Sequence, residues 1–221
     1  MDFVTTADGS KTLFNAEIGE HYHSKHGALQ ESKHVFLETG LVHLLSTHDI
    51  ATVSILEVGF GTGLNFLVTA DYLLGKNIHL DYCGIEAYPL GVDTILNTGY
   101  DAYVDASLWS KFGLQYENAL QQEIAFTDSI TLHIAHEKVL SYGRTALFDL
   151  IYFDAFAAIH QPEMWNDETL AHVCKLLKPG GVFVTYAITG NLKRSIKALG
   201  FKIEKTPGAP GKREMLRATK H

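Results

Sequence analysis

Cysteine is scarce in this 221-residue chain: Cys83 and Cys174 stand far apart, each inside an apolar run. That argues against a disulfide framework or a thiolate metal site and for buried free thiols. No run approaches the roughly 18 consecutive apolar residues of a membrane span, so no membrane partner is expected. The opening MDFVTTADGS lacks the basic n-region and the apolar core of a secretory signal. Internal repeats, low-complexity tracts and Pro/Ser-rich linkers are missing as well. What is present is 46% apolar and 19% charged residues, the composition of a cytoplasmic, enzyme-sized chain able to build an ample core.

Positive charge is also in short supply, with a net charge of −7. Taken whole, that balance argues against nucleic acid, because phosphate contacts need local positive potential. The distribution reverses part of the argument. Residues 191–221 hold nine Lys/Arg against Glu204 and Glu214, or +7, which leaves −14 for the remainder. One basic face on an acidic body would account for this. A solvated helix and strand edge would give the same count.

Along the chain, Asp8-Gly9 between β-prone stretches signals a hairpin. Apolar residues at Val35, Phe36, Leu41, Leu44 and Leu45 give a helical pattern closing near Thr47. TVSILEVGF reads as a buried strand, TGLNFLVTADYLLG as the helix after it, and IHLDYCGIEAY as a second strand. Residues 90–122 read as helical in pieces, and SITLHIAHE as a strand. The nearly all-apolar LFDLIYFDAF before and around Asp154 suits a central parallel strand covered on both faces. PEMWNDETLAHVCKLLKPGG reads as a helix opened by Pro162 and stopped by Pro179-Gly180-Gly181. VFVTYAI is a strand, NLKRSIKALG a helix, and FKIEKT and REMLRAT are two strands joined by a loop too short for a crossover helix. Strands alternating with helices predict an α/β doubly wound sheet, mainly parallel and ending in an antiparallel hairpin. Residues 1–48 are expected to form an N-terminal hairpin and lid packed on a core of residues 49–221. This is the outline of a Rossmann-like class I methyltransferase fold.

LEVGFGTGLNF sets Glu57, Gly59, Gly61 and Gly63 at a strand-to-helix turn, where the backbone must turn sharply and approach a ligand without Cβ interference. The G-x-G-x-G spacing differs from the dinucleotide fingerprint, whose third glycine would fall at Leu64. Glu86, 29 residues after Glu57 at the end of the next strand, can accept both ribose hydroxyls of an adenosine cofactor. His136, Glu137 and Lys138 follow the third strand without a clear Gly-Asp pair, so no adenine contact is assigned. Asp154 ends the apolar strand where ligands lie in open α/β sheets. A carboxylate left unpaired there is costly, which marks it as functional. Phe156 and Trp165 follow as an aromatic wall or as plain core.

Five blocks carry a specific resemblance: DGSKTLF, HYHSKHGALQESKHVFLE, LEVGFGTGLNFL, FDAFAAIHQPEMW and GKREML. Together they run from near residue 8 to near 216, and the sequence resembles the methyltransferase domain of the MnmC family. The resemblance implies S-adenosylmethionine as cofactor and tRNA as partner. It implies methylation of the amine of 5-aminomethyl(-2-thio)uridine at the wobble position of the anticodon loop. Glu57, Gly59, Phe60, Gly61, Gly63, Asn65 and Glu86 would then bind the cofactor, with Asp154 catalytic. Where the family commonly has D-G-F-A-P, this chain has Asp154-Ala155-Phe156-Ala157-Ala158, without the stiffening proline. Bifunctional members continue into a flavin-dependent oxidase; this chain resembles the stand-alone form, so no FAD is expected.

The transfer expected is in-line displacement by an amine nitrogen, with Asp154 orienting the amine and accepting a proton or hydrogen bond as charge develops. Lys212 and Arg213, in a Gly/Pro loop, are candidates for tRNA phosphates, joined by the helix containing Lys193 and Lys197. Surface charges serving only solubility are the alternative. The histidine-rich HYHSKHGALQESKHVF invites a metal reading, yet it offers no H-x-x-x-H pair and no cysteine ligand, so no metal is expected. It is read as a segment folding across the strand ends, with Tyr22, His23 and Ser24 as polar contacts to the cofactor and Gln30 and Glu31 as second choices toward the substrate. The competing readings are a methyltransferase of another amine and a non-catalytic scaffold of the same fold.

Overall fold

The computed structural model describes residues 2–143 and 147–221. The chain opens with three short strands, β1 (Asp2–Thr5), β2 (Lys11–Asn15) and β3 (Glu20–His21), which pair antiparallel into a small sheet of their own. Its first turn sits at Asp8-Gly9, as the dipeptide predicts: Asp8 accepts hydrogen bonds from Thr6, Ser10 and the Gln30 amide, and Gly9 takes φ 87°.

A continuous helical stretch follows, beginning at α1 (Ala28–Glu31) and ending in α2 (His43–Thr47). Between them Ser32–Val42 is wound as a π-helix, looser than any local pattern predicts. Two contacts accompany the widening. The Thr39 hydroxyl donates to the His34 carbonyl five residues back. Gly40 presses against Tyr152 and Val184, where a Cβ would come within 3.0 Å and 3.1 Å. π-Helical geometry is uncommon and tends to mark functional sites; here it lays the helix flat on the main sheet.

That sheet is built from β4 (Thr52–Val58), β5 (His79–Ile85), β6 (Ile124–Thr127), β7 (Ile130–Ala135), β8 (Phe148–Phe153), β9 (Leu177–Thr185), β10 (Phe201–Pro207) and β11 (Glu214–Lys220), in the order β10-β11-β9-β8-β4-β5-β7-β6. The central five strands are parallel, and β10 and β11 form the expected antiparallel edge. Alternate residues along the strands feed two cores. Leu150 and Tyr152 face α3 (Leu64–Leu73) and α5 (Ala106–Gln121), while Ile151 and Phe153 face α6 (Asp167–Lys175) and α7 (Gly190–Ala198), as a pleat with period two requires. A short helix α4 (Val92–Leu96) precedes α5, which starts where the Asp105 carboxylate caps the amides of Ser107 and Leu108.

One sequence expectation is corrected, the single helix running from Pro162 to Gly181. The stretch from Pro162 is two elements: a 3₁₀ turn over Pro162–Trp165, then α6, capped by the Asn166 side chain on the Thr169 amide. Pro179-Gly180-Gly181 is no helix stop, because α6 ends at Lys175 and the three residues form a bulge inside β9. Leu177 is fully buried and pairs with Phe148, so the strand begins before the bulge. A strand the sequence reading did not name is β6, which pairs antiparallel with β7 across a tight turn at residues 128–129. Four residues are too few to show a period.

Register sets the location of the site. Val58 lies level with Ile85 on one side and Phe153 on the other, and Ile85 lies level with Ala135. The residues that follow, Gly59, Glu86, His136 and Asp154, therefore emerge together at one edge of the sheet.

Candidate functional site

At that edge lies a cleft of about 890 Å³, a size suited to a small-molecule ligand. Residues 14–25 and Glu31 form one wall, 58–61 and 154–156 the floor, and 85–88 with 137–141 the opposite wall. Tyr186 and Lys212 close the remaining side.

The glycine loop is shaped by its neighbours. Gly59 has φ 88°, and a Cβ there would meet the Asp154 carbonyl at 2.5 Å. Gly61 has φ 53° and lies under the Tyr22 ring, 3.0 Å from where a Cβ would stand. The loop is fixed from behind by the Ile85 carbonyl, which accepts the Gly59 and Phe60 amides. Gly63 packs against Phe112 and Phe60 and precedes α3, away from the cleft. Glu86 accepts the Gly61 amide on one oxygen and the Tyr88 amide on the other, both at 2.9 Å. A carboxylate oxygen can accept more than one hydrogen bond, so both oxygens retain capacity for a pair of vicinal hydroxyls. The fit to an adenosyl cofactor thus rests on a backbone cradle without side chains beside an acid anchored by two amides.

Below the floor, Asn65 ties two acids together. Its amide nitrogen donates to Glu57 at 2.7 Å and to Asp154 at 2.8 Å, while its oxygen accepts the Ser32 hydroxyl at 2.6 Å. Glu57 has no solvent exposure and also accepts the Tyr82 hydroxyl at 2.7 Å. Burial, reinforced by the charge of Asp154, raises its carboxyl well above the usual range. Glu57 and Asn65 are therefore framework beneath the cleft. Asp154 faces into it, its carboxyl pushed up to about 8 by burial and then by the negative charge of Glu31, against the lowering pull of Asn65 and Lys212.

The N-terminal segment is pinned across the strand ends. Tyr22 meets Phe156 edge-on at 5.1 Å, and burial holds its hydroxyl up to about 12. His23 is buried, with its ring nitrogen 3.0 Å from the Thr62 hydroxyl in the glycine loop and its backbone amide on Thr12. Burial lowers its imidazole to about 4, so it is neutral at ordinary pH. The Ser24 amide and Lys212 ammonium both donate to Glu31, at 2.9 Å and 3.0 Å. The other histidines of the segment go separate ways: His21 stacks on Phe14, His26 packs on Gly211 and His34 bonds the Pro207 carbonyl. No group of three or more potential ligands is arranged for a metal among the described residues.

The cleft thus gathers Tyr22, His23, Ser24, Glu31, Gly59, Phe60, Gly61, Glu86, Asp154, Phe156 and Lys212. Trp165 stands behind it, donating its indole N–H to the Phe156 carbonyl and packing on Phe153. Gln30 and Arg213 lie outside the cleft and are exposed. Among the contributors that sequence reasoning missed are Glu20, whose carboxylate accepts the Ala157 amide at 2.8 Å, Tyr186, and Tyr88 and Leu140 on the wall beside Glu86. Glu20 and Tyr186 carry no motif. Tyr88, two residues past Glu86 and 70% exposed, had a signal in its position. Among the described residues, no helix is long and apolar enough to cross a membrane.

Comparison with known proteins adds to this geometry. The family described as S-adenosyl-L-methionine-dependent methyltransferase matches residues 104–221. The chain is 31% identical over 218 residues to the tRNA 5-methylaminomethyl-2-thiouridine biosynthesis bifunctional protein MnmC of Paracidovorax citrulli, covering 94% of this chain and 34% of that protein. It is 32% identical over 230 residues to the MnmC protein of Magnetococcus marinus, covering 97% of this chain and 34% of that one. The chain therefore spans about a third of the length of the curated relatives it matches. In fold it is similar to the crystal structure of MnmC2 from Aquifex aeolicus, with TM-score 0.80 and 23% identity, over 99% of this chain and 70% of that one.

Proposed function

The chain belongs to the S-adenosyl-L-methionine-dependent methyltransferase family, and from that premise we propose that it methylates the amine of 5-aminomethyl(-2-thio)uridine at the tRNA wobble position. The observation that carries the reading is the similarity to MnmC proteins along at least 94% of the chain, a span that takes in both walls and the floor of the cleft. The acidic end of the cleft supports it independently. Glu20, Glu31 and Asp154 converge there, a setting that favours cations such as an alkylammonium or a sulfonium. A tRNA substrate implies the cytoplasm as the working compartment.

The cofactor supplies an electrophilic methyl on a sulfonium. Its adenosine would lie on the Gly59–Gly61 backbone with its ribose hydroxyls on Glu86. The chain must then deliver a neutral amine. A simple alkylammonium titrates near ~10.4, so deprotonating it at pH 7 costs about 4–5 kcal/mol. An ordinary carboxylate is too weak a base to help. Asp154, held up to about 8 by burial and by Glu31, has a far higher proton affinity. An ammonium docked on Asp154 in its ionised fraction, which grows as pH rises toward 8, gives up its proton as the pair is shielded from water, because burial penalises both charges. Asn65 keeps the carboxyl aimed by donating to Oδ2, and the edge-on pair of Tyr22 and Phe156 would flank the base.

The test is nucleoside analysis of hypomodified tRNA after incubation with the protein and S-adenosylmethionine. The expected product is a wobble nucleoside gaining one methyl on its amine. Transfer to small free amines without transfer to tRNA would point instead to a different amine substrate. No transfer together with no cofactor binding would favour a non-catalytic scaffold.

A further inference from the structure

Lys212 reads in the sequence as a phosphate contact, but the structure uses its charge within the cleft. Its ammonium sits 3.0 Å from Glu31 Oε1 and 3.7 Å over the centre of the Tyr186 ring. Glu31 is 5% exposed, and its other oxygen accepts the Ser24 amide. Tyr186 in turn donates its hydroxyl to the Ala155 carbonyl at 2.8 Å, on the residue directly after Asp154. A lysine ammonium between a carboxylate and an aromatic face satisfies two attractive geometries at once. The loop that carries it is locked in place: Gly211 lies against the His26 ring, and His34 bonds the Pro207 carbonyl.

We propose that Lys212 is a positioning residue for methyl transfer, clamped between Glu31 and Tyr186 so that it fixes the Ala155 side of the Asp154 turn and offsets the charge of Glu31 beside Asp154. The proposal rests on Asp154 being the group that receives the amine proton. Asp154 is surrounded by charged and titratable groups from several elements: Glu20 from β3, Glu31 from α1, Glu57 from β4, Tyr82 from β5, Tyr186 after β9 and Lys212 from the β10–β11 loop. Glu31 is the strongest negative influence among them and Lys212 the positive one. Removing either partner breaks the same ion pair yet changes the field at Asp154 with opposite sign. A latch with only a mechanical role would not distinguish the two.

The experiment follows the Asp154 carboxyl by ¹³C NMR titration in the cofactor-free protein. In parallel it measures the pH dependence of kcat/KM for tRNA methylation, in wild type, Lys212→Met, Lys212→Arg and Glu31→Gln. The expected result is an Asp154 midpoint raised by about half a pH unit or more in Lys212→Met and lowered by a similar amount in Glu31→Gln. Lys212→Arg keeps the charge and stays near wild type, and the acid limb of kcat/KM moves with the midpoint. Midpoints that do not move, or that move the same way in Lys212→Met and Glu31→Gln, overturn the proposal. If Lys212→Met does not fold, as judged by its circular dichroism, a lowered midpoint in Glu31→Gln with an unchanged one in Lys212→Arg supports it, and any other pattern overturns it. Divergent midpoints in a protein that leaves tRNA unmethylated would sink the substrate assignment while leaving the positioning role intact.

Discussion

Glu57 and Asp154 share one amide nitrogen: that of Asn65, 2.7 Å from the first and 2.8 Å from the second. Each carboxyl thus takes one of the two N–H bonds of the same amide, and the Ser32 hydroxyl on the Asn65 oxygen fixes which way the amide faces. The arrangement separates their roles by position. Glu57 is sealed under the glycine loop, whereas Asp154 opens on the cleft.

Asp154→Asn retains the shape of the side chain and an oxygen for Asn65 to bond, but it removes the proposed proton acceptor. Turnover should fall by about 10²–10⁴-fold, the usual share of a general base. Calorimetry should find cofactor affinity within a few-fold of wild type. A collapse in affinity equal to the loss of turnover would remove Asp154 from proton transfer.

The same variant should be more stable than wild type at alkaline pH. The Asp154 carboxyl titrates near 8 in the folded chain against an ordinary value of 3.8, so between those pH values the folded state holds a proton that the unfolded state has lost. Wild-type stability from this group therefore declines as pH rises from about 4 to 8. Thermal melts should show Asp154→Asn gaining on wild type from pH 5 to pH 8.5, with the gap closing toward pH 4.

His23 gives the opposite slope. Its imidazole is lowered from 6.5 to about 4 by burial, so on acidification the unfolded chain takes up a proton that the folded chain refuses. Stability from this source is complete above pH 6.5 and is lost as pH falls toward 4, by up to about 3 kcal/mol. His23→Gln, which can still bond Thr62, should flatten that part of the melting curve.

Glu86→Ala deletes the acceptor of the Gly61 and Tyr88 amides as well as the proposed seat for the ribose hydroxyls. Cofactor binding should weaken at least about tenfold, the equivalent of 1.4 kcal/mol, which is within the range of a lost charge-assisted hydrogen bond. Titration calorimetry reads this directly.

With Lys212 committed to Glu31, the exposed cation left in that loop is Arg213. Arg213→Glu should raise KM for tRNA and reduce the salt slope of binding by about one or more, leaving kcat near wild type. Unchanged salt dependence would place the RNA on another face.

Much of this architecture was legible because it obeys local rules. The apolar run before Asp154, the G-x-G-x-G turn and the last two strands each carry a period or a steric requirement. β6, the π-helical winding of Ser32–Val42 and the β9 bulge do not. Each is decided by packing against a distant partner, as when Gly40 meets Tyr152 and Val184 or Leu177 pairs with Phe148. The site divides the same way. Residues in the strand-end turns could be named from order alone, while Glu20 and Tyr186 join only through contacts with Ala157 and Ala155, respectively, far along the chain. The histidine count by itself says little, because composition counts neighbours in sequence, and these four side chains point at four different neighbours in space.

The Glu31–Lys212 contact spans 181 residues of sequence, and α1, the segment after β3 and the β10–β11 loop all meet around it. Closing so long a loop costs entropy before any contact can return it, so contacts of this range form late and slow the approach to the native state. The sheet can pair while this corner, whose Ala28 and Ala209 complete one of the two cores, is still open. Catalytic competence should then lag behind folding: in a refolding time course, fluorescence and secondary structure should recover first, and methyl transfer last.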